Sequence, residues 1–323
     1  MQNYQDLVRN EGVFALFNGV GTAHNLAIRE RQNRDCVPNL FVATGSQLWG
    51  NPEEYPWTIG SIPTYPTEMA VLVEYLKETS PDATIAVLYQ NDDFGKGYLT
   101  ALEELVEGTE MRIVSRQSYD PENTDVSGQV TSLKDSNADV FVIGATALAC
   151  PNALGAKQRL RWEPGVTYIS ATCTSGTVMA LTPAGAADGV WSAGYLMDPR
   201  DPQWEDNEQM KEFKELGAKY GLSSEDLENG LVGYGWTMAQ LLEITLRKAP
   251  ELTRADVMNT AWSLSGERPG LLMPEVEVNT DGSDDPYPIE AMRLIRFDGN
   301  LWQLQEKVYD FEGKTKEFSR LES

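Results

Sequence analysis

The chain has 323 residues, 41% hydrophobic and 9% aromatic, which allows two domains with cores of their own and lies outside the composition of disordered or fibrous chains. Its 26 basic residues face 49 acidic ones, and a net charge of -23 repels phosphate backbones and anionic lipid, so nucleic-acid partners are disfavoured and the charge reads as a solubilising surface. One histidine, His24, and three cysteines without metal-ligand spacing exclude an ordinary zinc site or Ser-His-Asp triad, and no run of 18 apolar residues exists to span a bilayer.

The opening residues Met1–Asp6 lack the basic and apolar regions of a signal peptide. A short helix is predicted over Tyr4–Asn10, followed by a train of apolar strands alternating with helical stretches. The strands are Val13–Phe17, Asn39–Val42, Thr84–Tyr89, Arg112–Tyr119, Asp139–Ile143, Thr167–Ser170 and Gly189–Tyr195. The helices are Thr22–Asn33, Thr67–Glu78, Gly97–Val106, Val126–Lys134 and Ala147–Arg161. Runs such as Ile85–Tyr89 and Val140–Ile143 are apolar without alternation, as in parallel strands covered on both faces. The pattern is doubly wound α/β. With only two strands ahead of residue 59, the N-terminal lobe reads as incomplete.

The train stops at the breaker cluster Pro199-Arg200-Asp201-Pro202. Helices follow at Asp206–Tyr220, Leu231–Lys248 and Arg254–Leu264, the last with Thr253 as N-cap and Asp256 three residues on. Antiparallel strands are expected at Leu271–Val278, Ile289–Phe297 and Leu301–Gln305. The cysteines Cys36, Cys150 and Cys173 are either three buried thiols or a Cys150–Cys173 disulfide with Cys36 left over. The second case fits an oxidising compartment.

Several segments carry a family resemblance. Asp6-Leu7-Val8, Gly12–Phe17 and Gly19-Val20-Gly21-Thr22, then Val37–Gly45 and Tyr55-Pro56-Trp57-Thr58, are followed by Ile85–Tyr98 with its Asn91-Asp92-Asp93-Phe94-Gly95-Lys96 turn. With Asp198-Pro199, Gly233-Tyr234 and Phe297-Asp298-Gly299 in order behind them, they resemble type I periplasmic binding proteins, in particular the branched-chain amino-acid (Leu/Ile/Val) binding family of ABC importers. The resemblance implies two Rossmann-like lobes joined by a three-crossing hinge, with residues 1–61 plus 198–286 in lobe 1 and 62–197 plus 287–323 in lobe 2. The crossings are expected near Ile59–Ile62, Met197–Pro202 and Pro274–Pro288. Family members begin with a signal peptide and two further βα units, so the chain reads as truncated at its N-terminus; full length, it is expected on the outer side of the membrane, in a Gram-positive bacterium as a lipoprotein.

The same resemblance implies a non-enzymatic, monomeric protein without metal or cofactor. It captures a small amino acid or carboxylate between its lobes and delivers it to permease and ATPase subunits. Ligands of open α/β sheets lie outside the carboxyl ends of the strands. Candidate contacts are therefore Gly21 and Thr22, Thr44, Gly45 and Ser46 in lobe 1, where glycine backbone, hydroxyls and a helix start suit a carboxylate. Thr22 is a candidate N-cap there. In lobe 2, Phe94 is a candidate aromatic lid, with Thr146 and Thr172 on the strand-end loops; Tyr234 and Trp236 are candidates for an aromatic wall. Each has a bland counterpart: a capped turn, a plain loop or core packing. Amino-acid binders of the family place an acid after the strand equivalent to Thr167–Ser170, whereas Ala171-Thr172-Cys173-Thr174 has none, which opens the alternative of aromatic or other organic acids. Cys150 and Cys173 lie just past the ends of two strands, and a disulfide between them is expected if those strands are neighbours.

Other functions fit less well. Gly19-Val20-Gly21 is a partial phosphate loop, but Asn25 and Leu26 stand where the third glycine would fall, which weakens an NAD enzyme. No G-x-S-x-G elbow supports a hydrolase. Asp92-Asp93 reads as an acidic helix start, and Asp281, Asp284 and Asp285 as a solvated turn without EF-hand spacing. A ligand-sensing module of a regulator is a further alternative, and the absence of a DNA-binding helix-turn-helix or kinase-like segment from these residues argues against it.

Overall fold

A computed structural model describes residues 2–318. The chain divides into two compact units. The first holds the residues up to Thr67, Gly233–Ala291, and those from Asp310 on; the second holds Glu68–Val232 and Met292–Tyr309. The segment 198–232, expected in the first lobe, groups with the second unit. Arg200 shows why: it pairs with Asp198 at 2.8 Å, and its guanidinium lies so close to Gly176 that a Cβ there would stand 2.7 Å from it.

The sheet of the first unit is β1 (Leu16–Phe17), β2 (Asn39–Val42) and β3 (Thr58–Gly60), parallel and in that order. The predicted strand Val13–Phe17 is thus shortened to two residues. The reason is local: the Val13 and Phe14 carbonyls accept from the Arg254 guanidinium at 2.7 and 2.8 Å rather than from a neighbouring strand. β3 was not anticipated as a strand. β1 lies at an edge, with Phe14, Phe17 and Val20 exposed, and a groove of about 540 Å³ lies beside it, lined by Phe14, Leu242, Leu246 and Leu252. The expected strand Leu271–Val278 is not formed. Leu271, Leu272 and Met273 are all buried, so the alternation of a strand is missing. The amides of Gly270 and Leu271 donate to the Gln240 and Thr237 side chains, and Pro274 has no amide to offer a ladder.

The second unit is built on β4 (Thr84–Gln90), β5 (Arg112–Tyr119), β6 (Val140–Gly144), β7 (Val166–Ile169), β8 (Trp191–Gly194), β9 (Ala291–Phe297) and β10 (Trp302–Asp310). Their order is β10-β9-β8-β7-β6-β4-β5, parallel from β5 to β8, with β9 antiparallel to β8. Residues Ile85–Leu88 and all of β6 are buried, as two-sided coverage requires, whereas β5 at the edge alternates exposed and partly buried residues until Tyr119. The predicted alternation of strands and helices is reproduced to within a few residues, including the helix Asp93–Val106, which Asp92 caps by accepting from the Gly95 amide at 3.1 Å. The helix Arg254–Ala261 in the first unit likewise begins on Thr253, which accepts from the Asp256 amide. The second unit also contains the expected Cys150–Cys173 disulfide, while Cys36 is free and exposed.

Candidate functional site

In the first unit the three parallel strands deliver three hydroxyls to one point. Thr22 begins the helix after β1, Thr44 follows β2, and Tyr65 begins the helix after β3. The Thr22 and Thr44 hydroxyls share a hydrogen bond of 2.7 Å, and each lies 3.1 Å from the Tyr65 hydroxyl. All three residues are buried. Each hydroxyl both donates and accepts, so the trio can turn donors toward a carboxylate without carrying a fixed charge. Ser46 donates its amide to Thr44 Oγ1 and caps the short turn Gln47–Trp49.

Two glycines make the convergence possible. A Cβ at Gly45 would stand 2.7 Å from both the Pro63 carbonyl and the Tyr65 ring, and Gly45 accepts from the Tyr65 amide at 2.6 Å. Gly21 has a φ of 100°, open to glycine alone at low cost, and it occupies the cap position of the following helix. Thr22 is therefore the first helical residue and not the N-cap; its hydroxyl is directed to Thr44 and Tyr65 instead. Asn25, which spoils the glycine pattern of a phosphate loop, holds this turn by donating to the Gly19 and Gly21 carbonyls at 3.0 and 2.8 Å.

Tyr234 belongs to a second group in this unit. Its hydroxyl accepts from the Asn18 amide at 2.7 Å and shares a 3.2 Å hydrogen bond with Ser61, and burial raises its pKa. Trp236, two residues on in the helix Gly230–Lys248, points to a different face and is not brought to that group.

The candidates of the second unit fall at strand ends as well, in separate groups. Thr146, after β6, donates to Gln90 Oε1 at 2.7 Å, and the Tyr119 hydroxyl donates to the same oxygen at 2.8 Å. The other end of the Gln90 amide donates to Asp92 at 2.6 Å. Thr172, after β7, is exposed; its hydroxyl shares a 2.7 Å bond with Ser170 and donates to the Ala145 carbonyl. Phe94, in the first turn of the helix after β4, is buried with its ring 5.1 Å from that of Tyr98.

Glu68 was missed in the sequence. It is 3% exposed and accepts from the Tyr98 hydroxyl at 2.5 Å, the Tyr168 hydroxyl at 3.1 Å and the Ala171 amide at 2.9 Å. Burial pushes its pKa up to about 7 against the pull of those three bonds. The available signal was an acid in the first turn of the helix Tyr65–Thr79, followed directly by the apolar run Met69–Val73, all of it buried.

A cluster of three carboxyls lies in the first unit. Asp285, Glu290 and Glu312 bring oxygens within 4.8 Å of one another, the one set among the described residues with the spacing of a metal site. Glu290 is already engaged by the Gly313 and Thr315 amides at 2.7 and 2.9 Å, and burial, then the Glu290 charge, push Asp285 up to about 8. A shared proton therefore accounts for the arrangement without an ion. Because the folded value lies above the ordinary one near 3.8, the stability Asp285 contributes is full in acid and is lost as pH rises toward 8. Asp285→Asn should donate to both glutamates and remove that loss, gaining on the order of 2 kcal/mol at pH 9 and little at pH 5. Urea denaturation at the two pH values measures it.

Comparisons with known proteins agree with this architecture. A branched-chain amino-acid ABC transporter from Thermus thermophilus, solved with bound valine, is similar at 16% identity with a TM-score of 0.83, covering 98% of this chain and 83% of that one. A substrate-binding periplasmic protein from Ralstonia solanacearum is similar at 21% identity and a TM-score of 0.80, with coverages of 94% and 84%. An ABC-transporter solute-binding protein from Rhodopseudomonas palustris, solved with 3,4-dihydroxybenzoic acid, reaches 0.76 at 15% identity, with coverages of 96% and 82%. No curated protein matches the sequence. No helix among the described residues is long and apolar enough to cross a membrane. A family model described as periplasmic binding protein matches residues 1–300, and the chain belongs to that family of solute-binding proteins.

Proposed function

We propose that the chain is the extracytoplasmic capture subunit of an ABC importer, which binds a small carboxylate-bearing solute at its strand-end rims and passes it unaltered to a membrane permease. The observation that carries this reading is the buried trio Thr22, Thr44 and Tyr65, one hydroxyl from beyond each parallel strand of the first unit. Hydroxyls with Gly21 and Gly45 backbone beside them suit a carboxylate head, as ligands of such sheets approach from the strand ends. The likeness to transporter proteins solved with valine and with a benzoic acid supports the same role.

Among carboxylates, acids without an ammonium group are favoured. The turn Ala171–Thr174 offers no carboxylate, and the nearby Glu68 has both oxygens occupied by protein donors. An ammonium buried there would lack a charged partner, which is costly. Titration calorimetry with 3,4-dihydroxybenzoate and with L-valine tests this. Binding of the first and not the second is expected, with the solute recovered unchanged. Preference for valine would reverse the ordering, and steady turnover of either would refute a pure binder.

Thr44→Val should keep the shape of the site and delete its central hydroxyl. A hydrogen bond to a charged group contributes about 1.5–3 kcal/mol, so the dissociation constant should rise about 10- to 100-fold. An unchanged constant would place the carboxylate elsewhere.

A further inference from the structure

The candidate contacts of the second unit, Phe94, Thr146 and Thr172, are uncharged, yet one buried acid is bonded to the elements that carry two of them. Glu68 is the first residue of that unit, directly after the chain leaves the first unit at Thr67. Its three donors come from three places: Tyr98 from the helix that carries Phe94, Tyr168 from β7, and the Ala171 amide from the turn that carries Thr172. A single carboxyl group thus ties together two elements that bear candidate solute contacts.

The titratable groups facing Glu68 are Tyr98 and Tyr168; Tyr168 interacts in turn with Ser192 and the Ala193 backbone. Among the described residues no lysine, arginine or second carboxylate acts on Glu68. With its proton on, the group is a neutral, hydrogen-bonded part of a dry core. With its proton off, it is a charge without a counter-ion, and any movement that admits water to it is favoured.

We propose that Glu68 is a proton-controlled positioning residue of the solute-binding rim: protonated, it holds the Ala171–Thr174 turn and the Phe94 helix in place, and ionised, it loosens them. The sign follows from linkage. The closed arrangement holds the proton up to about pH 7, whereas an opened, hydrated Glu68 loses it near its ordinary value of 4.5. Opening is therefore promoted as pH rises between those values, by up to about tenfold per pH unit, and levels off above them. Tyr98→Phe removes a bond that favours the charged form, so the levelling point should move to higher pH.

The role of the rim in binding rests on the solute reading above, but the movement itself does not, and the experiment separates the two. Hydrogen exchange of the full chain is followed by mass spectrometry between pH 4.5 and 8.5 without solute, each rate divided by the intrinsic rate at that pH. In the wild type the protection of residues 171–174 should fall on the order of tenfold per pH unit up to about pH 7 and then level off. In Glu68→Gln it should be flat, and in Tyr98→Phe the fall should extend to higher pH. A flat wild-type profile, or an unchanged slope in Glu68→Gln, overturns the proposal. If Glu68→Gln does not fold, the Tyr98→Phe shift decides, and no shift overturns it. With 3,4-dihydroxybenzoate and L-valine as probes, affinity for whichever binds should weaken over the same pH window in the wild type and not in Glu68→Gln. If neither probe binds while the exchange profile and its shift are present, the chosen solutes are wrong and the role of Glu68 in holding the turn stands.

Discussion

Replacing Gly95 with alanine is expected to leave the second unit unfolded or severely destabilised. Gly95 lies in the first turn of the helix Asp93–Val106, directly behind the last residue of β4. A Cβ there would stand 2.1 Å from the Gln90 carbonyl oxygen and 2.4 Å from the Gln90 nitrogen. Both are backbone atoms in a strand paired on either side, by β5 and β6, so neither can retreat. The alternative, moving the helix, breaks the Asp92 cap to the Gly95 amide and withdraws Phe94, Tyr98 and Leu102 from the core. Overpacking costs about 1–3 kcal/mol when side chains can adjust; against backbone the cost should exceed about 3 kcal/mol. Gly128→Ala is the control. It lies exposed in the helix Ser127–Lys134 with nothing within 4 Å of the added methyl, and the substitution should stabilise by about 0.5–1 kcal/mol. Far-ultraviolet circular dichroism with urea denaturation measures both. A Gly95→Ala protein with wild-type stability would mean that the strand-to-helix turn is not packed as described.

This turn also shows what was legible in the sequence. Asn91-Asp92-Asp93-Phe94-Gly95 was the most specific of the resembling segments, and the strand before it is an unbroken apolar run, so both the element and its glycine stood out. The inner strands β6 and β7 of the second unit were legible for the same reason, since two-sided burial leaves a dense apolar signature. β3 was not, because Thr58-Ile59-Gly60 is too short and too mixed to signal a strand, and only pairing with β2 makes it one. Missing β3 meant missing Tyr65, although Tyr65 stands after β3 as Thr22 stands after β1. Thr22 and Thr44 stood out as candidates from the rule about strand ends and, for Thr44, from the family resemblance, while the false strand at Leu271–Val278 came from reading a buried irregular segment as a ladder. Glu68 escaped because an acid on a helix normally faces water, and its burial is set by Tyr98 and Tyr168, 30 and 100 residues away. Phe94 was visible as an aromatic beyond a strand end, whereas its ring contact with Tyr98, one helical turn on, was not.

Reducing the Cys150–Cys173 disulfide should cost the second unit about 3 kcal/mol and should loosen the Thr172 turn first. The two cysteines lie beyond β6 and β7, which pair from Val140 with Val166 to Ile143 with Ile169, and the Cα atoms are 6.4 Å apart across 23 residues of sequence. Cys150 is the second residue of the helix Ala149–Arg159, and Cys173 ends the 3-10 turn Ala171–Cys173. The bridge therefore closes a loop around one complete helix and β7. On the chain-entropy model a closed loop of this size restricts the unfolded state by about 3 kcal/mol, and no loss of packing need be added, since two thiols occupy nearly the same space. Folded, the consequence is local. The disulfide and the Ala171 bond to Glu68 are independent ties on the same turn, so reduction removes one and leaves the other. Cys150→Ser with Cys173→Ser should thus lower the urea midpoint and raise hydrogen exchange at 171–174, whereas Cys36→Ser, at an exposed free thiol, should stay within about 0.5 kcal/mol of the wild type. In Glu68→Leu, which deletes the acceptor of the Ala171 amide, the same double replacement should cost the turn more protection than in the wild type at pH 5, where protonated Glu68 otherwise holds it. Equal losses in the two backgrounds would mean that the two ties do not share the turn.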